Sequence, residues 1–162
     1  MDLVIRPMTL DDADAKGYVH WKSWKDTYAG LIDQNYLNNL DLAQRQKWAR
    51  DYPENTSVAV LNGKVVGFSC YGATRDEDLP GCGEVYAIYL LQEAQGLGIG
   101  KKLMDAAFAH LKEYRTVAIW VLKGNEKAIG FYEHYGFRFD GTAKAYKQLG
   151  TELRMLYTKS EE

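Results

Sequence analysis

Apolar residues recur along this chain with two different periods, and the switches between them mark out its elements. Leu3-Val4-Ile5-Arg6 reads as a first strand, ended by Pro7. Thr9 followed by Asp11 and Asp12 is a helix cap with first-turn carboxylates. Ala15, Tyr18, Val19, Trp21 and Trp24 then form an apolar stripe that carries this helix as far as Asp26. Residues 27–32 break the period and read as a linker. Asp33 caps a second helical stretch carrying Tyr36, Leu37 and Leu40, and further helical turns run from Asp41 to about Asp51, closed by Pro53. Residues 56–61 and 64–71 are apolar runs on either side of Asn62-Gly63, a pair that supplies the positive φ angles of a two-residue hairpin turn. After a polar loop over 74–83 come a strand at 84–91, a glycine-rich turn and an amphipathic helix to about Leu111. Thr116–Leu122 is continuously apolar, as a strand buried on both faces would be. A short helix over 126–135 ends at Gly136, a strand starts at Phe137-Arg138-Phe139, and 151–157 alternates as a last strand. Lys159–Glu162 reads as a charged, frayed tail beyond a single domain of residues 1–158.

This order of strand, helices, hairpin, strand, helix, strand, helix and strands predicts an α/β domain on a mixed sheet and excludes a doubly wound parallel one. The chain has 162 residues, 46% apolar and 26% charged, enough for one real core. A formal net charge of −2 excludes a nucleic-acid binder held by bulk charge, though a local basic surface is compatible with it. No apolar run approaches the length of a membrane span and no signal peptide is recognisable, which predicts a cytoplasmic protein without a membrane partner. Cys70 and Cys82 are too few for a disulfide framework. His20, His110 and His134 are scattered away from ligand spacing, so no metal is expected.

The chemistry concentrates at Gln95-Gly96-Leu97-Gly98-Ile99-Gly100-Lys101, a strand-to-helix turn with glycine at alternate positions. Stripped of side chains, several backbone N–H groups can point into one concavity. The free N–H groups and positive end of the following helix make that concavity an anion site, suited to phosphate or pyrophosphate. A P-loop would need Gly at Gln95 and Ser or Thr at Lys102. A dinucleotide fingerprint would need Gly at Lys101 and an earlier place in the chain.

Gln-x-x-Gly-x-Gly after a strand resembles the pyrophosphate loop of GNAT superfamily N-acetyltransferases, which carry acetyl from acetyl-CoA to an amine. A second stretch, Asn125-Glu126-Lys127-Ala128-Ile129-Gly130-Phe131-Tyr132-Glu133-His134-Tyr135-Gly136-Phe137, resembles the segment that follows the fifth strand in that family. The resemblance follows the element order over residues 3–158 and is specific over 84–137. It implies a central, mostly antiparallel, twisted sheet of about seven strands flanked by about four helices. It also implies acetyl-CoA as co-substrate, bound by Gln95 to Lys101, by Asn125 and Tyr132, and by the backbone of Ile88, Tyr89 and Leu90. Tyr132 would protonate the departing thiolate, and Glu84 would take the proton of the amine directly or through water. Trp24, Asp26 and Tyr28, in a stretch resembling one branch of the family, would receive the acceptor. Many relatives pair, which implies a homodimer. On residue type alone, without the glycine turn, Tyr132 reads as a core aromatic beside Phe131, and Glu84 reads as well as a solvated loop-to-strand carboxylate. The same fold could also serve as a non-catalytic acyl-CoA sensor or partner-binding module. Strand alternation would put Glu84, Tyr86, Ile88 and Leu90 on one face.

Overall fold

A computed structural model describes residues 1–160. The chain begins with β1 (Leu3–Pro7), and a 3₁₀ turn at Leu10–Asp12 leads into α1 (Ala13–Thr27). Then follow α2 (Gln34–Asn38), α3 (Leu42–Asp51) and the hairpin β2 (Thr56–Leu61) and β3 (Lys64–Ala73). The second half runs β4 (Gly83–Leu90), α4 (Ile99–His110), β5 (Thr116–Leu122), α5 (Glu126–Tyr135), β6 (Arg138–Tyr146) and β7 (Gly150–Thr158). The seven strands form one sheet in the order β1-β2-β3-β4-β5-β7-β6, with every pairing antiparallel except β4 on β5. The mixed seven-stranded sheet is as expected. Five helices flank it, the extra one being the five-residue α2.

Local sequence explains most boundaries. Asp33 and Asp41 accept hydrogen bonds from the backbone N–H groups of Tyr36 (3.3 Å) and Ala43 (2.9 Å), capping α2 and α3. Asn62 and Gly63 take φ of 50° and 83°, the hairpin conformation their types favour. Gly17 lets α3 lie directly on α1, since a Cβ there would come within 2.6 Å of the Gln46 backbone.

Three apolar clusters pack the helices on the sheet, the two larger ones sharing α4, which gives Ile99 and Leu103 to one and Met104 and Ala107 to the other, and the third joining Trp24, Ile32, Leu37 and Leu122. Val19 and Ala13 of α1 join Val58 and Phe68 in the first, and Met104, Ala107 and Leu111 pack with Val117, Phe137 and Met155 in the second. Each fully buried side chain of this size contributes about 1.5–3 kcal/mol. The clusters thus hold the sheet rigid where the functional groups are mounted.

Four expectations are corrected. The helix predicted to end near Asp26 continues to Thr27, and the presumed linker contains a one-turn closure in which Leu31 and Ile32 N–H groups bond Tyr28 O (both 2.9 Å). The strand starting at Phe137 is nine residues long and makes a hairpin with β7. Lys159 is anchored, its N–H bonding Arg115 O (2.9 Å) and its ammonium Leu111 O (2.8 Å); residues 161–162 of the predicted tail lie outside the described residues. Finally, Glu84 does not share a face with Ile88 and Leu90. In the β3–β4 pairing Cys70 lies opposite Ala87 and Tyr71 opposite Val85, leaving Tyr86 as the extra residue of a β-bulge. One added residue reverses the alternation, so Glu84 falls on the face of Ala87 and Tyr89.

Candidate active site

β4 and β5 are paired only over Gly83–Val85 and Val117–Ile119. Beyond Val85 the β5-facing edge of β4 has no strand partner, so the backbone of residues 86–90 on that edge faces open space. A cleft of about 930 Å³ fills the gap, within the usual range for small-molecule sites. Ile88, Tyr89 and Leu90 line it, as do Gln95, Gly96, Gly98, Ile99, Gly100 and Lys101 at one end and Asn125 and Tyr132 along its wall.

At the first end, Gly96 and Gly98 have φ of 80° and 78°, a region that side chains rarely enter, and Gly98 stands directly before α4. Among the described residues, no hydrogen bond outside the helix occupies the backbone N–H groups of Gly96 to Lys101. Lys101 and Lys127 line the same end, and Lys127 donates to the Gln95 side chain, whose amide reaches back to Leu90 O (3.3 Å). The result is a concentration of N–H dipoles, helix field and two cations around one concavity. Leu97 is 48% exposed and outside the cleft wall, so it contributes backbone alone to the turn.

Tyr132 sits in the middle, on α5. It is 8% exposed, edge-on to Phe131 and Phe137, and its hydroxyl has no hydrogen-bond partner among the described residues. Burial holds its phenol above the ordinary value, so it is protonated at neutral pH, as an unshifted phenol also is, and is a weaker acid than one. Asn125 caps α5 through Oδ1, which accepts from Ala128 N–H at 3.4 Å, and also lines the cleft.

The other end is polar and aromatic. Glu84 is 2% exposed. Its Oε1 accepts from Thr74 Oγ1 (3.1 Å) and Arg75 N–H (3.2 Å), and its Oε2 from the Arg75 guanidinium (3.1 Å). Trp24 and Tyr28 line the cleft on one helical face, and Tyr28 shares a 2.9 Å hydroxyl contact with Tyr89. Asp26 is not brought to the cleft: two residues beyond Trp24 it points about 200° away around α1, where it pairs with Lys22 at 2.9 Å. Trp21 likewise turns elsewhere, its indole N–H bonding Leu40 O at 2.9 Å.

Several lining residues were not anticipated: His20, Arg75, Asp76, Trp120, Lys144, Tyr146 and Glu152. Register explains the last four. Ala118 lies opposite Glu84, Trp120 opposite Arg154, Leu122 opposite Glu152, and Glu152 opposite Lys144, which continues one face of the sheet from β4 across to β6. Arg154, 4% exposed, bonds Asp76 (3.3 Å), Asp78 (2.7 and 2.8 Å) and Asp140 (2.7 Å). Trp120 adds an indole bond to Asp76 at 2.9 Å. These contacts draw the loop between β3 and β4 over that face. The only sequence signal for them was alternation in β7, which says nothing about which strand β7 joins.

Comparison with known proteins bears on this cleft directly. Residues 18–137 match the sequence profile of the acetyltransferase (GNAT) family. The uncharacterised N-acetyltransferase YuaI of Bacillus subtilis is 34% identical over 137 residues, covering 82% of this chain and 79% of its own. An uncharacterised N-acetyltransferase of Archaeoglobus fulgidus is 33% identical, covering 83% and 92%. In fold, the chain is similar to PaiA N-acetyltransferase from Thermoplasma acidophilum, solved in complex with coenzyme A, with a TM-score of 0.79 at 20% identity over 98% of this chain and 99% of that one. With a family profile spanning both the glycine turn and the Asn125–Phe137 segment, the chain belongs to the GNAT family of acetyltransferases.

Proposed function

We infer that the protein moves the acetyl group of acetyl-CoA directly to a primary amine while both substrates are bound. The observation that carries this reading is the polarity of the unpaired β4–β5 gap: N–H-rich and basic at the Gly96–Lys101 turn, acidic and aromatic at the other end, with the free Tyr132 hydroxyl between. Acetyl-CoA is the co-substrate. The turn from Gln95 to Lys101 takes its pyrophosphate, and the exposed edge of Ile88, Tyr89 and Leu90, with Asn125, takes the pantetheine. The amine nitrogen attacks the thioester carbonyl, a C–N bond forms and the C–S bond breaks. Tyr132, whose hydroxyl lines the cleft without a hydrogen-bond partner among the described residues, gives its proton to the departing sulfur. Glu84 takes the proton of the amine: three donors occupy about three of the four lone-pair positions of its carboxylate, which leaves one for a relaying water.

Initial-rate kinetics of thiol release, varying acetyl-CoA against an amine, test the direct route. A ternary complex gives intersecting double-reciprocal lines. Parallel lines, the signature of a covalent acetyl-enzyme, would contradict it. The reading carries a cytoplasmic location and a homodimer. Edge strand β6, with Phe139 facing outward, offers a surface for pairing, and light scattering at twice the monomer mass is the expected result.

A further inference from the structure

Three carboxylates stand at the acidic end of the cleft, and they differ in one respect. Asp76 is taken by Arg154 and the Trp120 indole, and Glu84 by Thr74 and Arg75. Glu152 has neither hydrogen bond nor ion pair among the described residues, although it lines the cleft. Its register partner Lys144 does not close on it, because the Lys144 ammonium lies over the Trp120 ring, 3.9 Å from its centroid. Arg75, the other cation lining this end, is committed to Glu84 and to the face of Tyr86.

The walls around Glu152 are aromatic and apolar, formed by Trp24, Tyr28, Trp120, Tyr146 and Leu122. Burial raises the Glu152 carboxyl above the ordinary range, against the opposing pull of Lys144 and Arg75. A carboxylate that lacks a partner in a partly desolvated wall is stabilised by an incoming ammonium, and the rings beside it favour a cation carried on an apolar body. A carboxylate on the carbon next to an ammonium held by Glu152 would be brought up against the Glu152 carboxylate itself, a like-charge contact that disfavours such an acceptor.

We propose that Glu152 binds the ammonium of the acceptor, and that the acceptor is a primary amine on an apolar or aromatic body with no carboxylate next to its nitrogen. This rests on the acetyltransferase reading above and names the substrate class for it. Glu152 recognises the acceptor, while proton removal stays with Glu84.

The test compares 2-phenylethylamine with phenylalanine, which share a body and differ by the carboxylate, using wild type and Glu152→Gln. Wild type should acetylate 2-phenylethylamine with kcat/KM at least about 10-fold above phenylalanine. Glu152→Gln should raise the KM for 2-phenylethylamine by about 10-fold or more, the scale of one charge-assisted hydrogen bond, with kcat and acetyl-CoA affinity close to wild type. Equal or better use of phenylalanine, or turnover of neither amine by protein that binds acetyl-CoA, overturns the acceptor class. An unmoved KM, or a loss confined to kcat with a displaced pH profile, overturns the binding role of Glu152. Unchanged acetyl-CoA affinity in the variant shows that it is folded. Wild type that does not bind acetyl-CoA would instead bring down the parent reading, and this proposal with it.

Discussion

Tyr132 and His20 line the same cleft but carry opposite consequences of burial. For Tyr132 burial raises the phenol pKa, and the acid role proposed for it rests on its free hydroxyl in the cleft. Tyr132→Phe should therefore lower kcat by about 10²-fold and leave the KM for acetyl-CoA near wild type. An unchanged kcat at saturating acceptor would remove the residue from the chemistry. His20 stacks on Tyr89 with ring centroids 5.8 Å apart, and its pKa is pushed from 6.5 down to about 3 by burial, then by the nearby Lys16 and Arg45 cations. Below pH 6.5 the unfolded chain gains a proton that the native protein refuses, so stability falls as pH drops through that window. Thermal unfolding between pH 7 and 5, where most carboxylates stay ionised, should show this decline in wild type and much less of it in His20→Gln. Identical slopes would mean that His20 is not held neutral. Neither behaviour was legible in the sequence: His20 stood alone there, because the residues that desolvate it come from β3 and β4.

At the scale of elements, the glycine turn and α4 form one device. Gly98 takes a φ of 78° directly before the helix, where backbone N–H groups converge. Gly98→Asp places a negative charge and bulk in that concavity and should abolish measurable acetyl-CoA binding by calorimetry while leaving the far-UV spectrum unchanged; unaltered affinity would sink the assignment. The turn and the helix start were readable in advance because every part of them is local. The same holds for the Asn62-Gly63 hairpin and the caps at Asp33 and Asp41. Long-range features were not readable. The bulge at Tyr86 is set by how β4 must register against β3, and it moves Glu84 to the other face from the one that strict alternation predicts. The length of β6 was hidden because it is an edge strand with most residues exposed, so no apolar run announces it. Asp26 was placed in the acceptor site by its sequence neighbours, yet on a helix two residues apart is nearly opposite.

Across the whole molecule, a net charge of −2 conceals a polarised cleft, with Lys101 and Lys127 at one end and Asp76, Glu84 and Glu152 at the other. The acidic end is roofed by the β3–β4 loop, and Arg154 ties that loop to β7 through Asp76 and Asp78. Arg154→Met leaves three carboxylates facing one another without their shared cation. Hydrogen exchange over residues 74–83 should then accelerate at least about 10-fold while α4 stays protected, and uniform acceleration would show that Arg154 supports the fold as a whole instead. Together these features describe a sheet opened at one seam, with the proposed phosphate site and the proposed amine site at its two ends. The most direct test of that account is thiol release from acetyl-CoA by the wild-type protein, measured with and without a panel of primary amines. Release that depends on an amine and saturates in both substrates is the predicted result; release no faster with any amine than without one would contradict it.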